Sequence, residues 1–342
     1  MSHDDIFRGA VIFALGAGLF AGCCTCDYST HGQGDGEGHV AKWKDGKDGE
    51  EMARVRLPNL VTLDGGYIRS TSQYDADGNK QDFGNDQSET STFYRLAYRR
   101  AITRMDIGDG RSLVFGGLAS LDYATRSFKG GMAYGGMSAD RCGSGLRSAR
   151  LEGDLAVRRL FQAPIRAKVL VGYQINVASD PDPNDQDFLD YSTRQNALYF
   201  GTEWAYLCHK WRLAMGAFYN ITTERDNNGS TFDNGDYLGL SASGGYKFRV
   251  SEQIIIQPSL RVEYMSRSER SSNGTTLANS DGYLLGLTPA VGVGFRGTGL
   301  RVNLAYGYTD EFRGTNIGGI ALAGKNAVVP NPAFSVGVGY RF

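Results

Sequence analysis

The chain has little proline, little histidine and no long apolar run. Only 8 of its 342 residues are Pro, although 47 are Gly. Glycine at about twice average usage, without proline, is not the composition of a Pro/Gly-rich disordered segment. No window approaches the ~18–20 uncharged apolar residues of a membrane-crossing helix, which excludes a helical-bundle membrane protein. Lys plus Arg (36) nearly balance Asp plus Glu (37), for a net charge of −1. That balance leaves no electrostatic case for a nucleic-acid partner. The four histidines are His3, His31, His39 and His209. A general base near neutrality is most often His, and none of these falls on a strand or a long loop of the pattern described below. No enzyme is expected.

Cysteine is scarce too. Cys23, Cys24 and Cys26 cluster near the start, and only Cys142 and Cys208 follow. A zinc site needs four ligands in ordered spacing. The cluster reads as leader and linker, so neither a metal nor a cofactor is expected. Residues 9–22, GAVIFALGAGLFAG, carry no charge. They are too short to span a bilayer and fit the apolar region of a signal peptide. The run ends Leu19-Phe20-Ala21-Gly22-Cys23, which resembles the lipobox of bacterial lipoproteins and implies lipidation at Cys23. Ordinary cleavage near Ala21, or none, stays open. Residues 1–22 are thus read as a signal-like leader, 23–56 as a polar linker and 57–342 as a barrel.

What is abundant is strict alternation. In residues 165–177, IRAKVLVGYQINV, the odd positions are Ile, Ala, Val, Val, Tyr, Ile and Val. The even positions begin Arg166, Lys168 and end Gln174, Asn176. Period two with one apolar face is a strand. Thirteen residues exceed the ~9–11 that a tilted strand needs to cross a bilayer. The pattern recurs over residues 61–74, 90–103, 111–126, 147–161, 195–207, 211–222, 236–248, 253–265, 283–296, 300–308 and 333–342. That makes twelve strands, an even number. The segment 127–146 has room for a further hairpin, so fourteen is the second choice. Connectors alternate between short (162–164, 208–210, 249–252, 297–299) and long polar ones (178–194, 223–235, 266–282, 309–330), as between periplasmic turns and outer loops. Aromatic residues gather near strand ends, as in interfacial girdles. The fold class is therefore all-β: a transmembrane, antiparallel, up-and-down barrel of the Gram-negative outer membrane.

The chain ends Val338-Gly339-Tyr340-Arg341-Phe342. This resembles the C-terminal signature of outer-membrane proteins, which implies that Tyr340 and Phe342 form the signal read by the barrel-assembly machinery. A second resemblance covers about the first third of the mature chain. Leu57-Pro58, the segment Gln73-Tyr74-Asp75-Ala76-Asp77-Gly78 and the strand Phe93-Tyr94-Arg95-Leu96-Ala97-Tyr98 look like the start of the transporter-like barrels of phenol meta-pathway clusters, in the superfamily of fatty-acid channels. Fourteen strands and a plugging N-terminal hatch are what that superfamily implies.

The polar faces of the strands hold the candidate functional residues. Inward basic positions are Arg95, Arg99, Arg150, Arg158, Arg166, Lys168, Arg212, Arg261 and Arg301. Inward acidic positions are Asp122, Glu152, Asp154, Glu203 and Glu263. Arg150, Asp154 and Arg166 are candidates to pair across the 162–164 turn. Arg95, Arg99, Arg212 and Arg301 have fewer acidic neighbours along their own strands and are the candidates to meet solute. The expected function is a passive, porin-like channel for small polar, anionic or aromatic solutes. The alternative is a non-conducting structural or adhesive surface barrel. Expected partners are outer-membrane lipid, lipopolysaccharide, the assembly machinery and small solutes. Cys142 and Cys208 are expected at opposite ends, too far apart for a disulfide.

Overall fold

The computed structural model describes residues 59–74, 80–82, 87–108, 111–129, 140–161, 163–179, 195–207, 210–227, 230–233, 235–277, 281–311 and 333–342. The leader, the linker with Cys23, the segments 130–139 and 312–332, and Cys208 and His209 lie outside these residues.

Twelve antiparallel strands form the barrel: β1 (Asn59–Ser70), β2 (Ser88–Asp106), β3 (Ser112–Lys129), β4 (Arg141–Leu160), β5 (Ile165–Asn176) and β6 (Ala197–Leu207). They continue as β7 (Trp211–Thr222), β8 (Tyr237–Tyr246), β9 (Ile254–Arg267), β10 (Gly282–Phe295), β11 (Leu300–Glu311) and β12 (Ala333–Arg341). The pair Phe248–Arg249 prolongs β8 along β9. Each strand pairs with its sequence neighbour, and β12 pairs with β1 from Leu60↔Arg341 to Ile68↔Ala333. The sheet therefore closes and leaves no edge. Two backbone hydrogen bonds between Asn59 and Phe342 finish the seam.

The side chains invert the pattern of a soluble protein. Leu63, Leu96, Val169, Leu260, Leu287 and Leu304 are exposed on the outside. Thr62, Ser120, Asp122, Ser148, Arg166, Lys168 and Arg212 are buried inside. An apolar exterior around a polar interior is stable only in lipid. Trp204, Tyr206, Trp211, Phe248, Tyr340 and Phe342 stand outward at the end with the short turns. Tyr67, Tyr94, Tyr123, Tyr173 and Tyr219 stand outward toward the other end, where Tyr94 and Tyr123 contact each other at 6.4 Å between ring centroids. These are the two interfacial belts.

Three departures from simple alternation come from β-bulges, one of them near the turn end of β4, where Arg158 and Leu160 pair with Arg166 and Ile165 and Arg159 is extra. Pairing slips between Ala101 and Thr103 on β2, and between Asp122 and Tyr123 on β3, where Ser148 is followed by Leu146 as partner and Arg147 is extra. Each extra residue reverses the phase of what precedes it. The bulge at Arg147 hides the first part of β4, which begins at Arg141 rather than at 147, and β3 runs to Lys129. Nine of the twenty residues 127–146, the segment with room for another hairpin, are these two strand ends. The described strands close a barrel of twelve, not fourteen.

The register sets the shape. Leu60, Arg99, Leu118, Glu152, Gly172, Tyr199, Asn220, Tyr237, Arg267 and Gly282 are successive cross-strand partners. The path starts at the turn end of β1 and arrives at the loop end of β10. Carried around, it returns about 14 residues further along β1, which for twelve strands means a tilt of ~41° and a backbone radius of ~11 Å. The turn end is tight: Gly299 has φ +73°, and a Cβ there would lie 2.2 Å from the Arg341 carbonyl oxygen. At the other end, the hairpins Arg225–Asn227/Ser230–Asp233 and Arg270–Ser272/Thr275–Leu277 pair through Phe232↔Ser272 into a small sheet above the rim.

Candidate functional site in the barrel lumen

The long charged side chains stand on one wall. Strands β2 to β7 place Arg95, Arg99, Asp122, Arg150, Glu152, Asp154, Arg158, Arg166, Lys168, Glu203 and Arg212 on the inner face, and β9 adds Arg261 and Glu263. The facing wall is small. From β10 to β12 the inner positions are Thr288, Ala290, Gly292, Gly294, Asn303, Ala305, Gly307, Ser335, Gly337 and Gly339, with Arg301 and Arg341 near the turns. Side-chain bulk is therefore uneven around the inner face.

The charges pair both between strands and along them. Arg95 holds Asp122 with two hydrogen bonds, Nε–Oδ1 at 2.5 Å and Nη2–Oδ2 at 3.1 Å, and the two residues are direct register partners. Ser148 donates to the same carboxylate at 2.9 Å, and Arg147 stands 3.8 Å from it. Arg99 pairs with Asp154, Arg166 with Glu203 and Arg261 with Glu263. Lys168 Nζ lies 3.5 Å from Glu203. Arg150 bonds Glu152 at 2.9 Å, bonds the Tyr199 hydroxyl, and sits 3.8 Å over the Tyr199 ring. Arg301 reaches Gln257 at 3.5 Å.

Arg150 pairs with Glu152 along β4, Asp154 with Arg99 on β2, and Arg166 with Glu203 on β6. Arg95 and Arg99, which have few acidic neighbours along β2 itself, meet Asp122 and Asp154 from β3 and β4. The reason is the shear, which sets residues remote along the chain at one level.

Sequence reasoning missed several inward groups. Glu89 and Arg126 form an ion pair of 2.6 Å just inside the loop end; Glu89 sits one residue before the expected start of its strand. Arg147 was hidden by the bulge. Asp64 and Arg341 lie on polar faces that alternation alone identifies. Tyr199 is buried along the lumen wall, over its cross-strand partner Gly172, where a Cβ would come within 2.1 Å of its ring.

Two spaces lie within the lumen. A chamber of about 250 Å³ is lined by Arg95, Arg150, Glu152, Tyr199, Phe218, Arg261 and Glu263 among others. A smaller one of about 40 Å³ lies toward the turn end, among Leu60, Arg99, Asp154, Arg158, Arg166, Lys168 and Arg341. Among the described residues, no cluster of His, Cys, Asp and Glu is arranged to hold a metal. Cys142 is a free, exposed thiol at the loop end of β4.

No protein-family model matches the chain. No curated protein matches it. Among solved structures, an outer-membrane channel from Pseudomonas putida F1 superposes with a TM-score of 0.60 at 15% identity, covering 84% of this chain and 96% of that one. The β domain of the Bordetella autotransporter BrkA gives 0.45 at 14% identity, over 84% of this chain and 100% of that one. The translocator domain of the Neisseria meningitidis autotransporter NalP gives 0.42 at 13%, over 86% and 90%. The first of these likenesses shows the fold. With the apolar exterior, the two aromatic belts and the closed twelve-stranded sheet, the class of protein is defined: a transmembrane β-barrel of the bacterial outer membrane.

Proposed function

We propose that the barrel is a passive channel for small polar solutes, anionic and aromatic ones included. The supporting observation is a lumenal chamber of about 250 Å³, lined by the small residues Gly201, Gly216, Ala217 and Ser241 as well as by charged side chains. Side chains of that size leave room that the arginines alone do not fill, and the ion pairs hold the long side chains against β2–β7. In this reading the arginines orient anionic groups through their forked donors. Tyr199 and Phe218 offer ring surface to an apolar part of the solute. Lipid and lipopolysaccharide surround the outer face, and the assembly machinery reads Tyr340 and Phe342.

The narrow 40 Å³ space at the turn end favours a second reading, a non-conducting structural barrel. Single-channel recording on the refolded protein in planar bilayers separates them. Discrete conductance steps support the channel. Intact, heat-modifiable barrels that give none support the structural barrel.

A further inference from the structure

The lumenal charge is divided unevenly along the barrel axis. Arg166, Arg212 and Arg301 are each the second residue of their strands, directly after a short turn, and Arg341 is the last residue of β12. Arg158 belongs to the same level, because it is the direct cross-strand partner of Arg166. Five arginines thus ring the turn end, with Arg99 and Lys168 just above. Against these seven cations, Asp154 and Glu203 are the two carboxylates facing inward at this level among the described residues. Asp106 and Glu252 are exposed beyond the ring. Above the ring, Arg95, Arg147, Arg150 and Arg261 stand with Asp64, Asp122, Glu152 and Glu263, so charge at that level is close to balanced, while Arg99, Lys168 and Glu203 of the lower level also reach the chamber.

Such an arrangement concentrates positive charge at one end of the lumen. Like charges directly opposite on neighbouring strands repel, and Arg158 stands directly opposite Arg166. Arg99, Arg166, Lys168 and Arg212 are each more than nine-tenths buried. Arg301 lies over Gly292, where a Cβ would come within 2.4 Å of its guanidinium. The 40 Å³ space between Arg99, Arg158, Arg166, Lys168 and Arg341 holds about three water-sized positions, the size of one carboxylate or other small oxyanion group.

We infer that this ring is an anion subsite and the selectivity filter of the pore, set at its periplasmic mouth. It takes one oxyanion group at a time. The balanced chamber contributes little to charge selection, so the pore is electrically sided. A polyanion arriving from the periplasmic face meets the ring at once. One arriving from outside must first cross the chamber.

This inference rests on the channel reading, and the test separates the two. Tripolyphosphate is added to one side of single channels, with the faces told apart by a biotin tag in the β9–β10 connection. Block from the periplasmic side is expected at a concentration at least tenfold lower than from outside. Arg212→Gln with Arg341→Gln should abolish that difference, and Arg126→Gln, at the other end, should keep it. Equal block from both sides, or sidedness surviving the double substitution, overturns the subsite. If wild type does not conduct, the channel reading falls and the subsite is read from melting. Tripolyphosphate should then raise the melting temperature of the wild-type barrel but not of the double variant. Equal shifts in both overturn it.

Discussion

Arg99 on β2 and Asp154 on β4 form an ion pair across the whole of β3, and they meet over Gly116. A Cβ at position 116 would lie 2.9 Å from the Asp154 carboxylate. The glycine is thus the gap through which two strands that do not touch are tied together. Gly116→Leu should displace the carboxylate and destabilise the barrel by about 1–3 kcal/mol, the range for overpacking. Urea titration of the barrel in liposomes, followed by heat-modifiability on gels, measures this. Stability equal to wild type would mean the pair forms without the gap.

The second prediction concerns the phase of β5. Val171 is 47% exposed on the outer face, whereas Lys168 is 5% exposed inside. Val171→Arg places a charge near the bilayer midplane and should cost ~2–4 kcal/mol. Lys168→Gln keeps a polar group in a polar lumen and should change stability by less than about 1 kcal/mol. The same urea titration reads both. Similar losses for the two would contradict the assignment of the faces.

Tyr199 lies on the lumen wall over Gly172 and is held by Arg150 and by Glu152, at 3.2 Å from its hydroxyl. Tyr199→Ala should widen a bore on the order of 10 Å and raise single-channel conductance up to roughly twofold. Gly172→Ala pushes the ring away from its own wall, further into the lumen, and should lower conductance. Changes of the same sign in both variants would show that the ring does not set the bore.

The seam between β1 and β12 ends on Asn59 and Phe342, which exchange backbone hydrogen bonds of 3.0 and 3.1 Å. The Phe342 ring also stacks on Tyr340, with 6.0 Å between centroids. Deleting Phe342 removes both bonds at ~1 kcal/mol each and the aromatic terminus. The folded fraction recovered from cells should drop severalfold, whereas refolding in detergent should be weakened only by those few kcal/mol. Unchanged recovery from cells would show that the assembly machinery does not read this residue.

Much of the barrel is legible in alternation because side-chain direction in a strand is a local property. Residues 165–177 declare which face is apolar, and so do Leu300–Tyr308 and the final residues through Phe342. Period two plus connector length is enough for twelve strands and their up-and-down order. Alternation failed where a single extra residue reversed the phase. Before Arg147, odd residues face inward; after it, even ones do. Nothing in the side chains of 141–147 announces that change.

Pairing across strands is a different matter. Whether Arg95 meets Asp122, or Arg99 reaches Asp154 over Gly116, depends on the stagger accumulated around a closed sheet. Shear is a property of the closed circuit: no single strand encodes it, yet it sets which charges share a level. The residues were therefore readable from the sequence as inward and charged. Only the tertiary structure decided which of these charges meet across strands and that the arginines beside the turns share one level. The physical reason is that alternation sets direction within one strand, while closure with a tilt of ~41° sets height among twelve.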